Sequence, residues 1–281
     1  MAKILNPYFK LLRVLDWGGY VLMSLFGFIL AKGFLFPMQE IIVFWGIVLS
    51  CLAFGFSIND CFDTKEDVYN RTKDNPLITQ KISFKKSLFF SLLIGVFALA
   101  LSAFLGLKIF LFCLAGLIIG FFYSAPPIRF KSRPFLDLIS HGFFAGVFLF
   151  ILPLLISGME ITRIYWVIAF YIFYISITLE MRNHLEDYSS DKSAGLNTSV
   201  VFLGYDVSKK ILDCLIGFYP LILFPVFLLA PIRIILLFLF SSLVFIIIFL
   251  FKKNLTIVKN YKVADIYTII CFSLLSLSMI L

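Results

Sequence analysis

The sequence predicts an all-α polytopic membrane protein: nine transmembrane helices in one bundle, with the N-terminus cytoplasmic and the C-terminus outside. Three observations carry this. The 281 residues are 62% hydrophobic with a mean hydropathy of +1.04, whereas a soluble domain is closer to half apolar. Nine apolar runs reach or approach the roughly 20 residues that cross about 30 Å of hydrocarbon as helix. The basic residues alternate between the two sides. Lys32, Lys108, Arg163 and Arg233 fall on one side, and the other 20 of the 24 Lys and Arg fall on the opposite side, which is cytoplasmic by the positive-inside rule. Backbone in lipid must satisfy its own hydrogen bonds, so the runs are helices. The short alternating strands of a β-barrel do not occur.

The elements follow in chain order. Segment 17–36 is too long and uninterrupted for a cleaved signal and reads as a retained helix. Segment 41–58 runs into an acidic stretch, "NDCFDTKED", at its cytoplasmic end. Segments 88–107 and 109–125 are joined by a tight outside turn at Lys108. In "YSAPPIRFK", Pro126 and Pro127 force an extended exit from the fourth helix. Segment 137–157 begins with Asp137 and His141, which read as helix-end polar residues. Segment 164–181 leads into a second polar stretch, "RNHLEDYSSDKSAG". Segments 211–230, 232–251 and 263–281 complete the nine. Arg13 and Asp16, ahead of the first helix, face a cavity mouth or anchor the interface.

The net charge of +8 therefore reads as topology and contact with anionic lipid. No basic stripe interleaved with exposed aromatics points to nucleic acid. The five cysteines have no paired spacing and suggest neither a metal site nor a disulfide frame.

The chemistry collects in two cytoplasmic loops, 59–87 and 182–210. Asn59, Asp63 and Asp67 are spaced by four, and so are Asn183, Asp187 and Asp191. Positions four apart share a helix face. Each motif thus lines two carboxylates along one stripe, where like charges repel unless a cation offsets them. Hard divalent cations take oxygen ligands, and Mg²⁺ typically combines one or two carboxylates with phosphate and water. Two facing stripes suit two Mg²⁺ ions with a diphosphate between them. Arg71, Lys73, Arg129 and Lys131 lie close by in sequence as candidate diphosphate partners. The repeated motif suggests a single transmembrane domain built of two related halves, 1–136 and 137–281.

These residues match a family pattern. "NDCFDTKED", "NPLITQKIS", "YSAPPIRFK" and "NHLEDYSSDKSAGLNTSVVFLG" resemble, in order, the four characteristic motifs of the UbiA superfamily of intramembrane prenyltransferases. The chain departs from the pattern at Asn75, where the family often has Arg, at Gln80, where it has Gly, and at His184 and Glu186.

The resemblance implies Mg²⁺-dependent transfer of an isoprenyl group from a prenyl diphosphate to a lipophilic acceptor, with a quinone precursor favoured. Asp63, Asp67, Asp187 and Asp191 would hold the metal, with Asp63 and Asp187 central to catalysis. Asn59, Asn183 and His184 would border the substrate, and Arg71, Lys73, Arg129 and Lys131 would clamp the diphosphate. Tyr123 would lie near the reacting carbon. The implied setting is the plasma membrane of a prokaryote, with the site on the cytoplasmic side, membrane lipid as the surroundings and a homo-oligomer allowed. A terpene cyclase would use the same metal site without an acceptor. An ion or lipid carrier would need polar residues along a membrane path, for which Lys32, Lys108, Asp137, His141, Asp213 and Asp265 are the candidates.

Overall fold

A computed structural model of the chain describes residues 6–32, 37–69, 74–79, 81–251 and 257–278. The chain enters through a short helix α1 (Pro7–Leu11), a 3₁₀ turn (Val14–Asp16) and α2 (Gly18–Lys32). Then come α3 (Met38–Phe62), α4 (Thr64–Asp67), α5 (Phe84–Phe104), α6 (Leu107–Ser124) and α7 (Leu136–His141). A π-helical stretch (Gly142–Val147) leads into α8 (Phe148–Ile156). The rest is α9 (Arg163–Glu186), α10 (Tyr188–Ser193), α11 (Ser199–Leu203), α12 (Tyr205–Gly217), α13 (Tyr219–Phe227), α14 (Ile232–Phe251) and α15 (Ile257–Ser278). Among the described residues there is no strand.

Eight helical stretches among the described residues are long and apolar enough to span a membrane. A bent pair, Pro7–Asp16 with Gly18–Ala31, makes a ninth when taken as one span. The straight helix expected from Trp17 is thus corrected to one that starts earlier and turns by 61°. The cause is local. Arg13 takes a left-handed conformation (φ 51°), which ends the first helix. Its Nε donates to Asp16 Oδ2 at 2.7 Å, and Trp17 Nε1 caps the freed Leu12 carbonyl at 2.9 Å.

Outward faces are apolar. α14 has a mean hydropathy of 3.2 and leaves Leu236, Leu237, Phe240 and Leu243 exposed, as suits a helix solvated by lipid tails. Within lipid, helices associate through close packing of small residues. The buried face of α5 is Ser87, Ser91, Gly95, Ala98 and Ser102, a small-residue stripe against α3. There the Phe54 ring sits so close that a Cβ on Gly95 would lie 2.9 Å from it. α2 packs along α8, α9 along the π stretch, and α14 along α15.

The π stretch interrupts the single helix expected over 137–157. Gly142 and Gly146 lie against Phe173 and Ser176 of α9, with no room for a Cβ at either position. This close approach seats the segment on α9, and the wide turn re-aims His141 and Phe144 toward the bundle interior.

Candidate active site

Two long helices end in the same way. Beyond the last turn of α3 the i to i+4 bonding continues across a joint: Asp63 N donates to Asn59 O and Asp67 N to Asp63 O, both at 2.9 Å. At the end of α9, Asp187 N donates to Asn183 O and Asp191 N to Asp187 O, again at 2.9 Å. Asp63 (φ −95°, ψ 13°) and Asp187 (φ −91°, ψ 5°) are each the last cap of one helix and the first cap of the next. A carboxylate is disfavoured at a helix C-terminus and favoured at an N-terminus. The short helices α4 and α10 supply the second condition, and they pack on each other, which brings the two motifs together.

The cations lie between the motifs. Lys131 is 7% exposed and its ammonium pairs with Asp63 Oδ2. Burial works to lower its pKa, but the charges of Asp63 and Asp191 outweigh that and raise it, so one lysine answers to both motifs. Arg129 Nη2 pairs with Glu66 and lies 3.6 Å from Asp63 Oδ1. Burial, followed by the Asp63 charge, pushes the Glu66 carboxyl up. Asn75 is buried, and its Nδ2 donates to Asp67 Oδ2 at 2.8 Å and to Asp60 O at 2.9 Å. Asn59 Oδ1 accepts from Ser124 Oγ at 3.0 Å. Ala125 is extended (ψ 141°), as expected ahead of Pro126, and the chain then turns back to present Arg129 and Lys131. Arg71 and Lys73 lie outside the described residues.

Below this charged layer is a cavity of about 420 Å³. Arg13, Asp16, Lys131, Asp187 and Asp191 line its charged end. One or two helical turns deeper come Tyr20, Tyr123, His141, Glu180 and His184, and then Cys51, Leu52, Gly116, Phe148 and Leu149. Arg13 holds Asp16 and Asp60 and lies 5.1 Å from the Phe56 ring centroid, which settles it at the cavity mouth. His141, read from sequence as a helix-end residue, is buried and lines the cavity. His184 sits between Asp191 (3.4 Å), Asp137 (3.4 Å) and Glu180 (3.5 Å).

Glu180 is the residue that the sequence reading missed. It is buried in a span, accepts from Tyr123 OH and from Asn183 Nδ2 at 3.0 Å, and faces both histidines. Asp213 and Asp265, by contrast, are tied to Tyr261 and Arg182 and do not line the cavity.

The donor set bears on a metal ion. Among the described residues, no donor hydrogen-bonds Asp63 Oδ1 or Glu66 Oε2, though both atoms are buried. Buried carboxylate oxygens without a hydrogen-bond donor are costly, and as hard oxygen donors they fit a hard cation. Among the same residues no three His, Cys, Asp or Glu side chains form a ready-made cage. Mg²⁺ needs only one or two carboxylates, with phosphate and water completing its shell.

Comparison with known proteins gives one answer. The model of the UbiA prenyltransferase family matches residues 20–276. A lycopene elongase/hydratase of Haloarcula japonica is 28% identical over 186 residues, which is 61% of this chain and 57% of that protein. A digeranylgeranylglyceryl phosphate synthase of Sulfurisphaera tokodaii is 24% identical over 223 residues, 75% of this chain and 76% of that protein. Among solved structures, a UbiA homologue from Archaeoglobus fulgidus bound to GPP and Mg²⁺ superposes with a TM-score of 0.74 at 27% identity. The match covers 96% of this chain and 99% of that one.

Proposed function

The chain belongs to the UbiA prenyltransferase family and is an integral membrane prenyltransferase, and we propose that it passes the isoprenyl group of a Mg²⁺-bound prenyl diphosphate to a lipophilic acceptor inside the bundle. The observation that carries this is the pair of carboxylate joints, Asp63, which is buried, and Asp187, which lines the cavity; the short helices that follow them pack on each other above a cavity whose deep end is apolar. A diphosphate needs the charged layer and its hydrocarbon tail needs the apolar one.

Asp63, Asp67, Asp187 and Asp191 would hold the metal, two ions being the number that two motifs suit. Mg²⁺, when bound, supplies neutralisation of the charge that builds on the departing diphosphate. The chain's own residues do the rest. Lys131 and Arg129, with Arg71 and Lys73, donate to diphosphate oxygens and orient the leaving group. Asn59, Asn183 and His184 border the substrate. Tyr123 lies beside the reacting carbon, and the faces of Tyr20, Phe144 and Phe148 suit an allylic cation. The apolar wall keeps water from that cation. The positive-inside asymmetry supports a cytoplasmic active site in a prokaryotic plasma membrane.

For the acceptor we favour a neutral aromatic of the quinone-precursor class. The middle of the cavity offers aromatic walls and a carboxylate, and its basic groups near the mouth are already paired with acids. The relatives' names make a polyene and a glyceryl phosphate lipid the competing acceptors. The test is mass spectrometry of purified protein incubated with Mg²⁺, farnesyl or geranylgeranyl diphosphate and a lipid extract of the source organism. A host lipid heavier by one prenyl unit is expected and identifies the acceptor. A cyclised product without adduct would replace transfer by cyclisation, and no consumption of either diphosphate would contradict the reading.

A further inference from the structure

The reaction so far accounts for the leaving group but not for a proton. When the allylic C–O bond breaks, its electron pair leaves with the diphosphate. When an O–H or C–H acceptor forms the new bond to the freed carbon, one proton must leave the acceptor. Asp63 is taken up by the Lys131 ammonium in the charged layer. A separate carboxylate stands deeper on the same helix face. Glu180 is seven residues before Asp187, about 10 Å along α9.

We propose that Glu180 and His141 together form the acceptor-side base, taking the proton that prenyl transfer releases; this rests on the prenyl-transfer reading above. Both side chains line the cavity and both are buried. Tyr123, assigned a place beside the reacting carbon, donates its hydroxyl to Glu180 Oε1, so the carboxylate lies next to the site of bond formation.

His141 is furnished with partners in two protonation states. Its Nδ1 is 3.3 Å from the Ser176 carbonyl, which only accepts, so that nitrogen carries hydrogen. Its Nε2 is 3.4 Å from Tyr20 OH and 3.3 Å from Glu180 Oε2. The neutral ring accepts from Tyr20, and the charged ring donates to Glu180. A proton taken by Glu180 therefore has a neighbouring place to rest before it reaches water at the cavity mouth. A purely structural carboxylate would need the donors but not the cavity exposure or the two-state histidine.

The test uses the full-length protein with Mg²⁺, farnesyl diphosphate and the source organism's lipid extract, and measures pyrophosphate, farnesol and prenylated lipid together. Without the base the cation is lost to water, so Glu180→Gln and His141→Gln should each raise the ratio of farnesol to prenylated lipid at least tenfold. A ratio equal to wild type in Glu180→Gln would overturn the proposal. So would a parallel fall of both products at an unchanged ratio, because that would make Glu180 part of the diphosphate cradle. Should Glu180→Gln fail to fold, His141→Gln decides by the same ratio. Wild-type protein that releases no pyrophosphate would instead overturn the prenyl-transfer reading itself.

Discussion

Asp63 and Asp187 occupy the same backbone position in two different helices. Each is the joint between a long span and a short helix, with φ near −93° and ψ near 10°. Each donates its N–H to an asparagine carbonyl four residues back at 2.9 Å. The helical bonding runs through the joint to the following acid, Asp67 or Asp191, and the two short helices that carry these acids pack on each other. From this correspondence we propose a single domain organised in two halves, 1–136 and 137–281.

Asn75 fixes one arm of that meeting through its bonds to Asp67 Oδ2 and the Asp60 carbonyl. Groups that orient a metal-binding carboxylate are worth about 10- to 100-fold in metal affinity or activity. Asn75→Ala should raise the Mg²⁺ concentration for half-maximal activity by about tenfold. A Mg²⁺ titration of turnover checks this, and an unchanged midpoint would remove Asn75 from the account.

Lys131 is the buried counter-ion of Asp63. Breaking a buried pair from one side costs about 3 to 5 kcal/mol, because the other charge is left uncompensated. Lys131→Met should lower the stability by about 3 kcal/mol, and adding Asp63→Asn should recover more than half of the loss. Thermal melting of the two variants in detergent gives the comparison.

The pH dependence of that pair has a definite sign. The folded pKa of Lys131 is raised above the ordinary 10.5. Its contribution to stability is fully present below 10.5 and is lost only as pH rises through the higher folded value. The melting difference between wild type and Lys131→Met should therefore stay flat from about pH 7 to pH 10. A difference that vanished within that window would contradict the assignment.

Gly27 tests the packing of α2 on α8. A Cβ there would lie 2.5 Å from the Phe150 carbonyl oxygen and 2.8 Å from Pro153 Cγ, neither of which can swing away. Gly27→Ala should destabilise by about 2 kcal/mol. Gly217→Ala, with nothing within 4 Å, should leave melting unchanged.

Legibility in the sequence followed periodicity. The four-residue spacing of the two motifs survived into the structure because the helical bonding runs through both joints. Glu180 escaped because the apolar average of segment 164–181 absorbed one acid. Stepping back four residues from His184 along the same face reaches it, and that was the available signal. The π stretch was hidden because an apolar run shows no register of its own. Its trace was Gly142 and Gly146, which are small because Phe173 and Ser176 approach so closely. The bend before α2 depends on the left-handed Arg13, a conformation that its residue type does not announce.

The central claim is that the two carboxylate joints act as one metal-diphosphate cradle. The most direct test is pyrophosphate release from geranylgeranyl and farnesyl diphosphate, with and without Mg²⁺, by wild type, Asp63→Ala and Asp187→Ala. The account predicts release only with Mg²⁺, and a loss of at least about 100-fold in each variant while the protein remains folded by melting. Turnover at the wild-type rate in either folded variant, or release that needs no divalent cation, would contradict it.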